Sequence, residues 1–168
     1  MPLTDGFSHV ASVTDDVDRL IGFYERVFDA PVLFDMEEDG MRHAAIDIGA
    51  NVVLHAFHVP WAPGDERREM FARGRTDHYG LTVRSMETLL EVRRRLQAEG
   101  PASTDGAVRD FGPVYSLHYV DPDGVHLEVN LFKEGWGNPS NPVLPRAEWT
   151  VLDVDAAPVP SEAAVSSR

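Results

Sequence analysis

Five side chains in this sequence have the chemistry of a catalytic or metal-binding centre: His9, His55, His78, His118 and Glu128. Imidazole and carboxylate are the groups that borderline divalent metals accept as ligands, and imidazole also exchanges protons near neutral pH. Cysteine is absent from the 168 residues. Disulfide frameworks, thiolate metal sites and cysteine nucleophiles are therefore excluded, which leaves His, Asp and Glu as the available ligands and bases. Chemistry then depends on whether the chain's elements bring these residues to one surface.

An internal repeat supplies the elements. The segment HVASVTDDVDRLIGF, from His9, matches HYGLTVRSMETLLEV, from His78, without a gap. Each copy reads as a histidine, an alternating strand-like run, a capping residue and a helical pattern. In the first helix Thr14 or Asp15 is expected to cap, and Leu20, Phe23, Tyr24, Val27 and Phe28 fall on one face. In the second Ser85 caps, Met86, Leu89, Leu90 and Leu96 form the stripe, and Gly100 ends the helix. Three strand-like runs follow each helix: PVLFDM, RHAAIDI and VVLHAFHV in the first half; ASTDGAVRD, PVYSLHYV and VHLEVNLF in the second. The last two runs of each half flank turn signals, Gly49-Ala50-Asn51 and Asp121-Pro122-Asp123-Gly124.

Each half thus reads β-α-β-β-β. The predicted fold is α+β, with two βαβββ modules (residues 1–58 and 76–133) forming a curved mixed sheet around a concave cleft. Residues 59–75 connect the modules, with Trp61, Met70 and Phe71 available to close over the cleft or to pack outside it. Residues 134–168 form a Pro-, Ala- and Ser-rich extension, which Trp136 and Trp149 could anchor to the body or to a second subunit and whose end should be loose.

Strand alternation says which residues face the cleft. If Val52, Leu54 and Ala56 pack on a helix, Val53, His55 and Phe57 point the other way. If Leu127, Val129 and Leu131 pack, His126, Glu128 and Asn130 face the cleft; Leu117 and Tyr119 likewise send Ser116 and His118 there. Tyr79, Leu81 and Val83 send His78, Gly80 and Thr82 to that side, and His9 follows by the repeat. Overlaying the final hairpins sets His55 opposite Glu128. His9, His78 and Glu128 could supply two imidazoles and a carboxylate to Fe(II), Zn, Ni, Co or Mn, with His55 as a fourth ligand or as a base beside the metal. Such a metal would act as a Lewis acid on a chelated diol, enediol or hydroxy-carbonyl, and His118 could serve as general acid or base. Taken singly, His43, His58 and His126 read as structural or surface histidines.

The stretches SHVASVTDDVDRLIGFYERVF, TDHYGLTV and LHYVDPDGVHLEVN together resemble the vicinal oxygen chelate superfamily, over roughly residues 6 to 132. That superfamily includes glyoxalase I, extradiol ring-cleavage dioxygenases, fosfomycin-resistance thiol transferases and metal-free bleomycin-resistance proteins. The resemblance implies a glyoxalase/dioxygenase-like fold with metal ligands at His9, His78 and Glu128. His55 stands where glyoxalase I carries a glutamate, and His118 stands where the fosfomycin and extradiol enzymes commonly carry a tyrosine. With Lys133 the single lysine, the chain is poor in the cations a phosphonate needs, while LHAFHVP is closer to small dioxygenase-type members. The first expectation is accordingly a dioxygenase-like enzyme holding Fe(II) and a catechol or enediol. The second is a glyoxalase-like isomerase or lyase, and the third is a metal-free protein that binds a drug or metabolite.

Charge and hydropathy narrow the partners. A formal charge of −13 repels phosphate backbones and anionic membranes, and the cluster Arg93-Arg94-Arg95 reads as a solvated helix face. Arg73, Arg75 and Arg109 could reach an anionic substrate, although solvent is the ordinary neighbour of such side chains. Neither a signal-peptide pattern at MPLTDGFSHV nor a membrane-length apolar run is present, so the expected location is cytoplasmic. The expected partner is a small-molecule substrate, with no nucleic acid and no membrane, and the resemblance implies that the chain can form a homodimer.

Overall fold

The computed structural model describes residues 3, 6–62, 71, 73 and 76–155. The elements run β1 (His9–Val13), α1 (Val17–Phe28), β2 (Val32–Glu38), β3 (Met41–Asp47), β4 (Val53–His58), β5 (Tyr79–Thr82), α2 (Met86–Ala98), β6 (Val108–Asp110), β7 (Val114–Val120), β8 (His126–Phe132) and β9 (Thr150–Val151), with a short 3-10 turn at Arg146–Glu148. The chain divides into two compact units, Met1–Ala72 and Arg73–Arg168. Each contains one βαβββ repeat, as the alternation and the helical patterns predict.

In the first unit the strand order is β1-β4-β3-β2, with β1 parallel to β4 and the other pairs antiparallel. Helix α1 packs on β3 and β4 through Val17, Leu20, Phe23, Tyr24 and Val27, which meet Ala44, Ile46, Leu54 and Ala56 in the core. Burial of one such Leu or Phe side chain stabilises by roughly 1.5–3 kcal/mol. The N-cap is Asp16, beyond both of the expected residues, Thr14 and Asp15. Its Oδ1 accepts from the Arg19 N–H at 2.9 Å, whereas Thr14 Oγ1 is occupied by the Asp16 N–H at 3.1 Å and forms the turn leading into the cap. Ala50 and Asn51, both at positive φ, close the tight turn between β3 and β4.

In the second unit the order is β5-β8-β7-β6-β9. Helix α2 is capped by Ser85, as expected, and packs on β7 and β8. Its buried residues are Leu89, Val92 and Leu96, so Val92 replaces Met86 and Leu90 in the innermost stripe. Between β7 and β8 the carboxylate of Asp121 accepts from the N–H groups of Asp123 and Val125, both at 2.9 Å, which holds the DPDG turn and the register after it.

The extension docks on the second unit. Strand β9 pairs antiparallel with β6, Trp149 packs against the Phe111 ring at 4.2 Å, and Trp136 stacks on Phe132 at 4.3 Å. Both tryptophans thus anchor the extension to the body, one of the two expectations for them. Met70 and Arg75 of the connector and residues 156–168 of the extension lie outside the described residues. Among the described residues no helix is long and apolar enough to cross a membrane.

Candidate functional site

Each unit covers one sheet face with its helix, and the opposite face carries the polar groups singled out by alternation. In the second unit His118 and Glu128 are direct register partners on β7 and β8, and Gly80 of β5 lies opposite Glu128 on the other side. A Cβ at Gly80 would stand 2.6 Å from Asn130 Nδ2. The missing side chain leaves room for Asn130, whose amide donates to Glu128 Oε2 at 3.2 Å.

Two imidazoles approach the other carboxylate oxygen. His118 Nε2 lies 3.1 Å and His78 Nε2 3.6 Å from Glu128 Oε1. The His118 approach lies within ion-pair range but outside hydrogen-bond geometry, so this buried nitrogen has no hydrogen-bond partner. Contact with His118 holds the Glu128 carboxyl down to about 2 against the opposing effect of burial, with Asn130 and His78 adding to the lowering. Glu128 is an anion at any physiological pH. On its far side, His78 Nδ1 is 2.8 Å from Asp77 Oδ2.

The first unit assembles a different group. His43 Nδ1 and His55 Nε2 are 3.0 Å apart, within a hydrogen bond in which one donates and the other accepts. The Phe57 ring stacks parallel to His43 and lies 4.1 Å from the His55 ring, while Phe34 meets both histidines edge-on. His9 comes within 6.4 Å of His55, ring centre to ring centre, and its Nδ1 is 3.0 Å from Ser8 Oγ. Burial first, and then the neighbouring His43 and His9, push the His55 imidazole below its ordinary 6.5. An NMR pH titration should therefore give a His55 midpoint below 6.5, and His43→Ala should move it upward.

By its sequence His43 is a structural or surface histidine; in the structure it is the hydrogen-bond partner of a candidate site residue. The signal was available: with Ala44 and Ile46 in the core, alternation sends His43 to the face of His55. Asp77 and Ser8 were also missed, because a residue flanking a histidine carries no pattern of its own. His58 and His126 stand at strand ends, opposite Arg42 and Val120. The Arg109 guanidinium is engaged by Asp105 and by the Ala107 carbonyl, and Lys133 by Asp110 at 2.7 Å and by the Tyr115 ring.

The donor chemistry suits a divalent cation: a fully ionised, partly buried carboxylate with imidazole nitrogens turned toward it, one of them buried without a hydrogen-bond partner. Among the described residues, no three His, Asp or Glu side chains are grouped closely enough to hold an ion as they stand.

A profile of the Glyoxalase/Bleomycin resistance protein/Dioxygenase superfamily matches residues 6–129, and the chain belongs to that superfamily. Solved structures share the fold at low identity. A glyoxylase/bleomycin resistance protein/dioxygenase domain from Frankia sp. EAN1pec is 24% identical, with a TM-score of 0.66, covering 79% of this chain and 95% of its own. A mutant of the fosfomycin resistance protein FosX from Listeria monocytogenes, complexed with Mn(II) and 1S,2S-dihydroxypropylphosphonic acid, is 16% identical, with a TM-score of 0.58 and coverage of 76% and 92%. Lactoylglutathione lyase from Agrobacterium tumefaciens is 19% identical, with a TM-score of 0.57 and coverage of 81% and 99%. No curated protein matches the chain.

Proposed function

We propose that the chain is a metal-dependent enzyme of its superfamily, dioxygenase-like, acting on a small substrate with two vicinal oxygens of the catechol or enediol type. The observation that carries this reading is Glu128, ionised and partly buried beside two imidazoles. His9, His78 and Glu128 are the proposed ligands of a divalent ion, Fe(II) before Zn, Ni, Co or Mn, and His55 is a fourth ligand or a proton acceptor. Bound there, the ion supplies Lewis acidity that lowers the pKa of a chelated hydroxyl. The Mn(II) named with the FosX structure supports a divalent ion on this fold.

The protein's own groups would then handle protons. His55, held below 6.5, is neutral at pH 7 and fit to accept one. His118, whose ring lies beside the anionic Glu128, is the second proton-transfer group. Phe34 and Phe57 give the His55 face an aromatic lining suited to a planar substrate, while Arg109 and Lys133, each already engaged by an aspartate, favour a substrate without a phosphonate.

A glyoxalase-like isomerase or lyase is the second reading, favoured by the likeness to the Agrobacterium lyase and by the ligand-type residue His55 at the position of that enzyme class's glutamate. Anaerobic reconstitution with Fe(II), followed by oxygen uptake against a panel of catechols, separates the readings. Uptake supports the first. Metal binding with isomerisation of methylglyoxal–thiol adducts and no uptake replaces it with the second, and failure to bind any divalent ion removes both in favour of a metal-free binding protein.

A further inference from the structure

The two halves share a feature that their alignment places at equivalent positions: the residue before each ligand-type histidine contacts that histidine's Nδ1. Ser8 Oγ is 3.0 Å from His9 Nδ1, and Asp77 Oδ2 is 2.8 Å from His78 Nδ1. In His78 the other ring nitrogen, Nε2, is the one turned toward Glu128. The ring is thus addressed from both sides by carboxylates, each through a different nitrogen.

These contacts differ in what they dictate. A hydroxyl both donates and accepts, so Ser8 is compatible with either tautomer of His9. An ionised carboxylate only accepts, so a hydrogen bond between Asp77 and His78 requires the proton to sit on Nδ1. That leaves the Nε2 lone pair of His78 uncommitted and directed to the side of Glu128. We infer that Asp77 is a positioning residue: it holds His78 as the Nδ1–H tautomer with Nε2 presented for coordination, while Ser8 only orients the His9 ring. The inference rests on the metal-binding reading above. Its physical basis is general, since a ligand histidine bound through one nitrogen is oriented by whatever accepts from the other.

The geometry favours this role over a purely local salt bridge. Asp77 immediately precedes the histidine just ahead of β5, and it meets Nδ1, so the nitrogen on the side of Glu128, Nε2, is not the one it engages. Its side chain is less exposed than that of His78, 24% against 38%, which strengthens a charge-assisted hydrogen bond relative to one in bulk water.

The test uses the full chain, Asp77→Ala and Asp77→Asn, with Mn(II) as the probe. Long-range ¹⁵N–¹H NMR on the metal-free proteins reads the tautomer of His78. The parent should show Nδ1–H and Asp77→Ala should shift toward Nε2–H, while Asp77→Asn, whose amide both donates and accepts, should no longer hold the ring to Nδ1–H. Mn(II) affinity should fall about 10–100-fold in Asp77→Ala, the usual cost of losing an outer-shell partner, and should also fall in Asp77→Asn. Retention of Nδ1–H in Asp77→Ala, or Mn(II) affinity within about twofold of the parent, would overturn the inference. If the parent itself binds no Mn(II), the metal-binding reading fails, and the NMR of the metal-free proteins still decides whether Asp77 orients His78.

Discussion

Replacing Glu128 by alanine is expected to abolish divalent-metal binding while both sheets stay folded. On the proposed reading Glu128 is the only anionic ligand, so its loss should lower affinity by more than the roughly 10–100-fold that an outer-shell partner costs. Equilibrium dialysis or Mn(II) EPR reads this directly. The fold should survive because Glu128 points away from α2, whereas its strand neighbours Leu127 and Val129 are fully buried on the helix side. A residual stability difference has a defined pH dependence. The Glu128 carboxyl is lowered from 4.5 to about 2 in the folded chain, so its contribution is present above 4.5 and is lost as pH falls through about 2. Melting temperatures of the parent and Glu128→Ala should therefore converge over that window. A variant that fails to fold at pH 7 would make Glu128 structural, and one that binds Mn(II) like the parent would remove it from the ligand set.

The second large effect is on stability. Phe23→Ala in α1 should cost about 3–5 kcal/mol, the range for deleting a buried aromatic ring. Phe23 is 1% exposed and meets the rings of Tyr24 and Phe28 at 5.4 and 6.4 Å, so the vacated space is walled by side chains that cannot all close in. Against a typical domain stability of about 5–15 kcal/mol, such a loss removes a large share of what holds α1 on β3 and β4. Urea denaturation followed by circular dichroism measures it. A cost below about 1 kcal/mol would mean that α1 is not anchored through this ring. Because the first unit carries His9 and His55, Phe23→Ala should also weaken metal binding, though indirectly, and Phe23→Leu should restore most of both properties.

Much of this was legible in the chain because the information is local. Alternation in VVLHAF buries Leu54 and Ala56 and sends His55 and Phe57 to the opposite face, and the structure follows it residue by residue. The same holds for Leu127, Val129 and Leu131 against His126, Glu128 and Asn130. The N-cap falls beyond both expected residues because Thr14, Asp15 and Asp16 are all competent caps, and only the chain's path off β1 selects Asp16. Strand β9 left almost no trace. Two residues, Thr150 and Val151, have no period to read, and their pairing with Arg109 and Asp110 spans some forty residues.

The amino-acid sequence by itself determined the two βαβββ repeats and their helix-facing and open faces, and it nominated His9, His55, His78, His118 and Glu128 as the candidates for a site. These follow from periods of two and 3.6 residues, which each strand and helix carries within itself. The tertiary structure decided which atoms meet: His43 with His55, Asp77 with His78 Nδ1, and His118 with Glu128 in direct register. Those contacts depend on how far one strand slides along another and on which rotamer a neighbour leaves open. Both are fixed by packing between segments distant in the chain, and periodicity within one segment does not encode them.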